Sequence, residues 1–168
     1  MDLEERIAHH TAMALSYRDS YVHKSVEGGS KFAWTFAPDC IYFSPYFTGE
    51  ELNLSEVGSK NGEGATLEAQ VYAITFPDWH PEDFKFWPAD NGFTMKTRWL
   101  GTRPDGVQMG FYSYSFIETN EAGDVARWET HVNDEYSPFL EYAIGVSGPF
   151  QGHAEYLDAL RDRLAREG

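Results

Sequence analysis

The chain is poor in cysteine. Cys40 is the only cysteine among 168 residues, so no disulfide can form within the chain. It lies in an apolar segment, where a thiol is more often a small core side chain than a nucleophile. A single thiol also fits a reducing compartment, and we therefore predict a cytoplasmic protein.

Long apolar runs and basic residues are also scarce. No apolar stretch approaches the roughly 20 residues that span a bilayer, and the acidic start of the chain lacks the pattern of a signal peptide. Acidic residues outnumber basic ones by 27 to 13, which gives a net charge of −14. Such a charge repels phosphate backbones and anionic membranes, so neither nucleic acid nor a membrane is predicted as a partner.

Sequence motifs for cofactors and metals are missing too. There is no Gly-rich phosphate loop, nucleophile elbow or dinucleotide fingerprint. The six histidines show no H-x-H or H-E-x-x-H spacing, although ligands distant in sequence could still converge. We predict a protein that uses neither a cofactor nor a metal.

Aromatic residues, by contrast, make up 16% of the chain. They are interleaved with single acids and bases in three segments, residues 41–47, 76–80 and 128–133. Large flat side chains mixed with a few polar groups suit a pocket for a small, hydrophobic aromatic ligand. The alternative is an aromatic-rich sheet core whose polar residues face water.

The sequence pattern places helices before a run of strands. Apolar spacings of three, four and seven predict the first helix, and turns rich in Gly, Asn and Asp separate the later β-prone segments. The 168 residues then form one α+β domain. The predicted elements are helices at 2–24, 31–37, 66–75 and 154–166, strands at 40–47, 83–88, 93–101, 107–118 and 125–133, and a surface loop at 49–64.

Three short segments fall at informative places in this order. Phe76-Pro77-Asp78-Trp79 follows a helix and precedes a strand, Phe36-Ala37-Pro38-Asp39 leads into an aromatic strand, and Ile144-Gly145-Val146 follows the last strand. With the order of elements, they make residues 5–147 resemble the SnoaL-like branch of the nuclear-transport-factor-two-like superfamily. The second half is similar to the phenazine-biosynthesis proteins of that superfamily.

The resemblance carries expectations about shape and assembly. It implies a cone-shaped α+β barrel, with a strongly curved and mostly antiparallel sheet wrapped around N-terminal helices and an apolar pocket at the open end. It also implies a homodimer or another homo-oligomer, since members often dimerise through the outer face of the sheet. The helix at 154–166 is then an addition to the cone.

The resemblance also implies a range of activities: isomerisation, aldol cyclisation, dehydration and cofactor-free cleavage of lignin-derived diarylpropanes. Our leading hypothesis from the sequence is a cofactor-independent lyase that acts by acid/base chemistry on a small phenolic compound. Its sharpest form is deformylation of a diarylpropane to a stilbene, with release of formaldehyde. The alternatives are a cyclase or isomerase of aromatic natural-product biosynthesis and a non-catalytic ligand-binding module. Ser44 stands where ketosteroid-isomerase-like relatives carry an aspartate, which disfavours the steroid-type route.

Five ionisable residues are candidates for catalysis. Asp78, between aromatic neighbours, would have a raised pKa and act as an acid or base, or would only cap its turn. Glu129 and His131 share one strand face and would form an acid–base pair, or would lie on the outer face of the sheet or in a dimer contact. Lys96 and Arg98 would stabilise a phenolate if they face inward, and would form a solvated surface if they face outward.

Tyrosines and small polar side chains are the candidates for substrate binding. Tyr42, Ser44 and Tyr46 have the same parity along one strand, so their hydroxyl groups are expected on one face. For the strand residues the alternative is core filling or a solvated surface, and the sequence leaves that choice open. The other candidates in this group are Trp79, His80, Tyr112, Tyr114 and Asn133.

Overall fold

A computed structural model describes residues 1–22, 34–54 and 63–167 of the chain. The α-helices in these ranges are α1 (Leu3–Val22), α2 (Glu63–Thr75), α3 (Tyr136–Ile144) and α4 (His153–Glu167). A short 3-10 helix covers Pro45–Phe47. Among the described helices, none is both long enough and apolar enough to cross a membrane.

The strands of the described ranges form one six-stranded sheet. Its order is β2-β1-β6-β5-β4-β3, with β1 and β6 parallel and every other neighbouring pair antiparallel. The sheet is curved and not closed, which confirms the predicted α+β class and cone-like architecture. The strands are β1 (Phe36–Phe43), β2 (Glu51–Asn53), β3 (His80–Ala89), β4 (Gly92–Thr102), β5 (Gln108–Thr119) and β6 (Val125–Val132).

Tight turns join the antiparallel strands at the places that the sequence predicts. Gly106 and Gly123 have φ values of 85° and 88°, in the left-handed region that glycine enters without a steric penalty. Their backbone N–H groups donate to the carbonyls of Arg103 and Asn120 at 2.9 and 3.0 Å. The four strands predicted between residues 83 and 133 are therefore confirmed.

Alternation along β4 and β5 separates the two faces of the sheet. Every second side chain is buried on the inner face, which packs against the helices, and the side chains between them lie on the outer face. Two serines and a threonine stand among the apolar side chains on the inner face. The buried residues of these strands on the inner face are Phe93, Met95, Thr97, Trp99, Phe111, Ser113, Ser115 and Ile117.

Aromatic side chains fill the space between α1 and the inner face. Trp34 is fully buried, and its ring centroid lies 5.4 Å from that of Tyr17, 5.0 Å from that of Trp128 and 5.5 Å from that of Phe93. The indole N–H donates to the carbonyl of Met13 at 2.8 Å, so its polar group is satisfied. This cluster fixes α1 against the sheet.

The helix predicted over residues 31–37 is wrong in its described part. Phe36 and Ala37 begin β1, and Phe36 pairs with Val125 of β6; residues 31–33 lie outside the described ranges. Pairing with a distant strand outweighs the local helix signal, and Pro38 disfavours a helical conformation at Ala37.

Three further boundaries differ from the sequence prediction. The strand predicted over residues 40–47 ends at Phe43, because Ser44 and Pro45 begin the 3-10 helix. The loop predicted over 49–64 contains β2, which pairs with β1, and its residues 55–62 lie outside the described ranges. The helix α3 was not predicted; it is short, and Pro138 in its first turn hides the pattern although proline is tolerated there.

Candidate active site

The helices α2, α3 and α4 pack on one another over the inner face of the sheet. Several inward-facing side chains at this junction keep part of their surface accessible, among them Tyr42, Glu68, Trp128 and Tyr136. Side chains on the inner side of the sheet that stay partly accessible are not sealed in close-packed core. This partly accessible region is the candidate ligand site.

A carboxyl group lies among these side chains. Glu68 and Tyr72 are four residues apart on α2, so both side chains project from the same face of that helix. The helix α4 brings Tyr156 to this face, and the Tyr156 hydroxyl donates a hydrogen bond of 2.6 Å to Oε2 of Glu68. Such a length is typical of a charge-assisted O–H···O contact.

Burial dominates the protonation of this group. It raises the pKa of Glu68 above its usual value, against the opposing effect of the hydrogen bond from Tyr156. Burial also raises the pKa of Tyr72, Tyr136 and Tyr156 well above 10, and the charge of Glu68 adds to the effect in all three. These three tyrosines are therefore neutral hydrogen-bond donors at any working pH. We call Glu68, Tyr72, Tyr136 and Tyr156 the Glu68–tyrosine cluster.

The hydroxyl groups of the cluster form a chain. Tyr72 hydrogen-bonds with Tyr136, and this contact favours the ionised form of Tyr136 and the neutral form of Tyr72. Tyr156 also hydrogen-bonds with Tyr72, so the contacts run from Glu68 through Tyr156 and Tyr72 to Tyr136.

Two predicted binding residues adjoin the cluster. The rings of Tyr46 and Tyr136 meet edge to face with centroids 4.6 Å apart, and the Tyr46 hydroxyl lies 2.8 Å from Oγ of Ser137. Tyr42, on the inner face of β1, is within electrostatic reach of Tyr136. Ser44 is buried, but its Oγ accepts a hydrogen bond from the backbone of Tyr46 at 3.4 Å and so holds the 3-10 helix.

Trp79, another predicted binding residue, forms an aromatic wall behind the cluster. Its ring stacks on Trp99 at 5.7 Å with an interplanar angle of 9°. The ring centroids of Tyr72 and Phe139 lie 5.3 and 5.1 Å from that of Trp79. The Phe-Pro-Asp-Trp segment thus places one aromatic side chain against the cluster.

Lys96 and Arg98 point away from this site, as in the second of the two alternatives. The Nζ of Lys96 and the Cζ of Arg98 lie 4.9 and 5.0 Å from the ring centre of Tyr112, on the outer face. Arg98 also pairs with Glu135 at 2.7 Å. Tyr114 stacks beside Tyr112 on the same face, with centroids 6.3 Å apart. The sheet separates these groups from the Glu68–tyrosine cluster.

Glu129 and His131 form a pair on the outer face. Nε2 of His131 lies 2.7 Å from Oε1 of Glu129, and Arg127 lies 3.5 Å from the other carboxylate oxygen. The hydrogen bond with His131, together with the charges of His131 and Arg127, lowers the pKa of Glu129 against the opposing effect of desolvation. Phe116, 47% exposed, meets the ring of His131 edge to face.

In the described part of the chain, no three His, Cys, Asp or Glu side chains gather as metal ligands would.

The other predicted site residues hold turns. The Asp78 carboxylate accepts a hydrogen bond of 2.7 Å from the backbone of Thr102, and His80 lies 2.6 Å from the carbonyl of Asp78. Desolvation alone would raise the pKa of Asp78, but the hydrogen bonds from Thr102 and its own backbone and the charge of His80 outweigh it, so the pKa is lowered. The raised value expected from the sequence is wrong. Asn133 accepts from the backbone of Tyr112 at 3.0 Å and closes the end of β5 and β6.

The four residues of the cluster were absent from the sequence-based candidates. The spacing of Glu68 and Tyr72 on a predicted helix was an available signal, since residues four apart share a face. Tyr136 lies in the helix that was not predicted. Tyr156 precedes the leucines of α4, and the sequence does not distinguish it from a core aromatic residue.

Comparison with solved structures shows that the chain has the cone-like fold of SnoaL-like and other NTF2-like proteins. A phenazine biosynthesis-related protein from Pseudomonas aeruginosa is 16% identical, with a TM-score of 0.50 over 88% of this chain and 92% of that chain. A structure described as a SnoaL-like polyketide cyclase from Jannaschia sp. CCS1 is 14% identical, with a TM-score of 0.50 over 85% of this chain and 97% of that chain. Bal32a, from a soil-derived mobile gene cassette, is 14% identical, with a TM-score of 0.50 over 80% of this chain and 98% of that chain. No family model and no curated protein matches the sequence.

Proposed function

We propose that this chain is a cofactor-independent enzyme that transfers protons on a small aromatic molecule, as a cyclase or isomerase does. The observation that carries the proposal is the carboxyl group of Glu68, which Tyr156 contacts at 2.6 Å and whose pKa burial raises. A carboxyl group with a raised pKa is a stronger base once it is ionised, so it exchanges protons more readily with weak acids near neutral pH.

The surroundings favour a flat ligand. The ring centroids of Tyr42 and Trp128 lie 5.7 Å apart, edge to face, on the inner face, and both residues stay partly accessible. Aromatic walls with a few polar groups are typical of sites that bind a ring system and fix its orientation through hydrogen bonds. The hydroxyl groups of Tyr46 and Tyr136 would supply those bonds.

The proposed reaction begins with ionised Glu68. It takes a proton from a carbon next to a carbonyl group of the ligand, and the C–H bonding pair moves into an enolate. Tyr136 donates a hydrogen bond to the enolate oxygen. In an isomerisation, Glu68 returns its proton to a different carbon of the ligand. In a cyclisation, the enolate carbon attacks a second carbonyl group of the same ligand, and the new alkoxide takes the proton.

The test is exchange of solvent deuterium into a hydroxyaryl ketone, such as 4-hydroxyphenylacetone, followed by NMR with no added metal or cofactor. Glu68→Gln should slow the exchange by at least about a hundredfold, the usual contribution of a general base. Glu129→Gln, which removes a carboxylate on the outer face, is the matched control. Equal exchange rates in the wild type and the Glu68→Gln variant would contradict the proposal.

The lyase is the second candidate, and the phenol-rich lining favours it. Protonated Glu68 would give its proton to the benzylic hydroxyl of a phenolic diarylpropane diol. Water leaves, the phenol gives its proton to solvent, and a quinone methide results. Ionised Glu68 would then take the proton of the hydroxymethyl group. The C–C bond breaks, its electron pair restores the aromatic ring as a phenolate that takes a proton from solvent, and the products are a stilbene and formaldehyde. Formaldehyde release together with a rise in stilbene absorbance would select this reaction over the cyclase.

A binding module is the remaining class, and the same experiments separate it. A module would bind 4,4′-dihydroxystilbene tightly while it neither exchanges deuterium nor releases formaldehyde. Its affinity would also change little in the Glu68→Gln variant, because no proton has to move.

We propose further that a second copy of the chain covers the outer face. Trp87 and Phe116 are 54% and 47% exposed on this face, and both lie beside Thr94 in the strand register. Exposed aromatic residues among charged ones are typical of protein interfaces. Sedimentation should show a dimer for the wild type and a monomer for a variant with Trp87→Lys and Phe116→Lys. A monomeric wild type would contradict this assembly.

A further inference from the structure

We infer that α4 completes the proton-transfer site, and that Tyr156 is a positioning residue that holds the Glu68 carboxyl group through its hydroxyl. The inference rests on the proposed role of Glu68 and goes beyond it, because it assigns control of that residue to a separate helix. Glu68 and Tyr156 lie 88 positions apart in the chain. Residues 5–147 carry the family resemblance, whereas α4 follows them.

The position of the Tyr156 hydroxyl does not depend on Glu68. The Tyr156 ring is only 4% exposed and lies 5.6 Å from Phe47 and 5.2 Å from Phe150. Leu160, one turn further along α4, is fully buried. Apolar packing therefore holds the ring in place, and the hydroxyl presents a preorganised donor to the carboxylate.

Polar contacts anchor both ends of α4. At its start, the backbone N–H of His153 donates to the carboxylate of Glu50 at 2.6 Å. In its last turns, Nε of Arg163 donates to the carbonyl of Ala143 at the end of α3 at 3.0 Å. The helix is thus tied to the segment before β2 and to α3, the helix that also carries Tyr136. A change in how α4 docks would move the donor relative to Glu68.

Two opposing effects meet at the Glu68 carboxyl group. Burial favours the protonated form, whereas a hydrogen bond from a hydroxyl favours the ionised form. Glu68 acts as a base only when it is ionised. The Tyr156 donor therefore extends the pH range of the base downward, and its removal should restrict activity to higher pH.

The experiment follows the titration of Glu68 by NMR in protein labelled with carbon-13 at the glutamate carboxyl, with Glu68→Gln used for assignment. Tyr156→Phe keeps the ring and removes only the donor. The midpoint should move upward by about one pH unit or more, as expected for a lost hydrogen bond to a carboxylate. Tyr142→Phe, which removes a hydroxyl from the exposed side of α3, is the control. An unchanged or lowered midpoint in Tyr156→Phe would overturn the inference.

The readout separates this inference from the proposed function. The titration needs no substrate, so it can show the Tyr156 effect even if the chain catalyses no reaction. Where turnover is found, the acidic limb of the kcat/KM profile should move upward with the titration, a change that loss of packing alone would not produce. If Tyr156→Phe does not fold, Glu50→Ala loosens the start of α4 and should move the midpoint in the same direction. An unmoved midpoint there would also overturn the inference.

Discussion

Replacement of Glu68 by glutamine should change the pH dependence of stability in a defined direction. Burial raises the pKa of Glu68 in the folded protein above the 4.5 that is usual for glutamate. Between these two values the folded state binds more protons than the unfolded state. The wild type therefore loses stability relative to Glu68→Gln, which mimics the protonated acid, as the pH rises through this interval.

The slope of this effect has an upper limit. One proton contributes at most about 1.4 kcal/mol per pH unit to the free energy of unfolding. For a chain of this length that corresponds to about 3–6 °C in Tm per pH unit. The variant and the wild type should have similar stability below pH 4.5, and the variant should become the more stable one above it, until a plateau begins at the folded pKa of Glu68. Thermal unfolding of both proteins between pH 4 and 8 measures this difference in stability.

Glu129→Gln provides a control of opposite sign. His131 lowers the pKa of Glu129, so the stability that Glu129 contributes is present above pH 4.5 and is lost as the pH falls through the folded pKa. The pair is partly exposed, and we expect less than about 1 kcal/mol. If the stability difference between the wild type and Glu68→Gln does not change with pH, or if the wild type gains stability relative to that variant above pH 4.5, burial does not control Glu68 and our account of the site fails.

Three other predictions concern the fold that holds the site. Burial, with the charge of its acidic neighbour, raises the pKa of the Cys40 thiol to about 11, so the native protein should react with a thiol reagent far more slowly than the unfolded chain. Gly101→Ala would place a Cβ 2.6 Å from Cβ of Phe76, a fully buried residue, and urea unfolding should show a loss of about 1–3 kcal/mol. His10 is fully buried with both ring nitrogens hydrogen-bonded, one of them to Thr119. His10→Leu leaves those partners unsatisfied and should destabilise the protein by about 1–3 kcal/mol in the same assay.

The sequence predicted the elements better than their arrangement. Strands β3 to β6 could be placed because turns such as Asn91-Gly92 and Asp105-Gly106 mark their ends and local rules govern such turns. The start of β1 could not, because its pairing with β6 depends on residues far along the chain. Local patterns carry no information about such a partner.

The same limit applied to the site. The alternation of side chains along β4 predicted correctly that Lys96 and Arg98 lie on the same face of the sheet. It did not predict which face is the inner one, because that depends on the curvature of the whole sheet. In the sequence, nothing distinguishes Glu68 from the other acidic residues of an acidic chain. Its role depends on Tyr156, which reaches it only after α4 has packed against α2. A search for acids paired with tyrosines on separate predicted helices would have been the nearest sequence signal.

The position of Glu68 is itself an argument for function. The outer face bears many polar residues that resemble catalytic groups, yet Arg98, Glu129 and His131 are paired with neighbours and cost the fold little. Glu68 stands instead among buried tyrosines, where its ionisation opposes stability. A glutamine or leucine there would remove that cost, and substitutions that stabilise a fold at the expense of its site are common in proteins. A carboxyl group placed where its ionisation destabilises the fold, with a preorganised donor aimed at it, is most simply explained by the proton it can move.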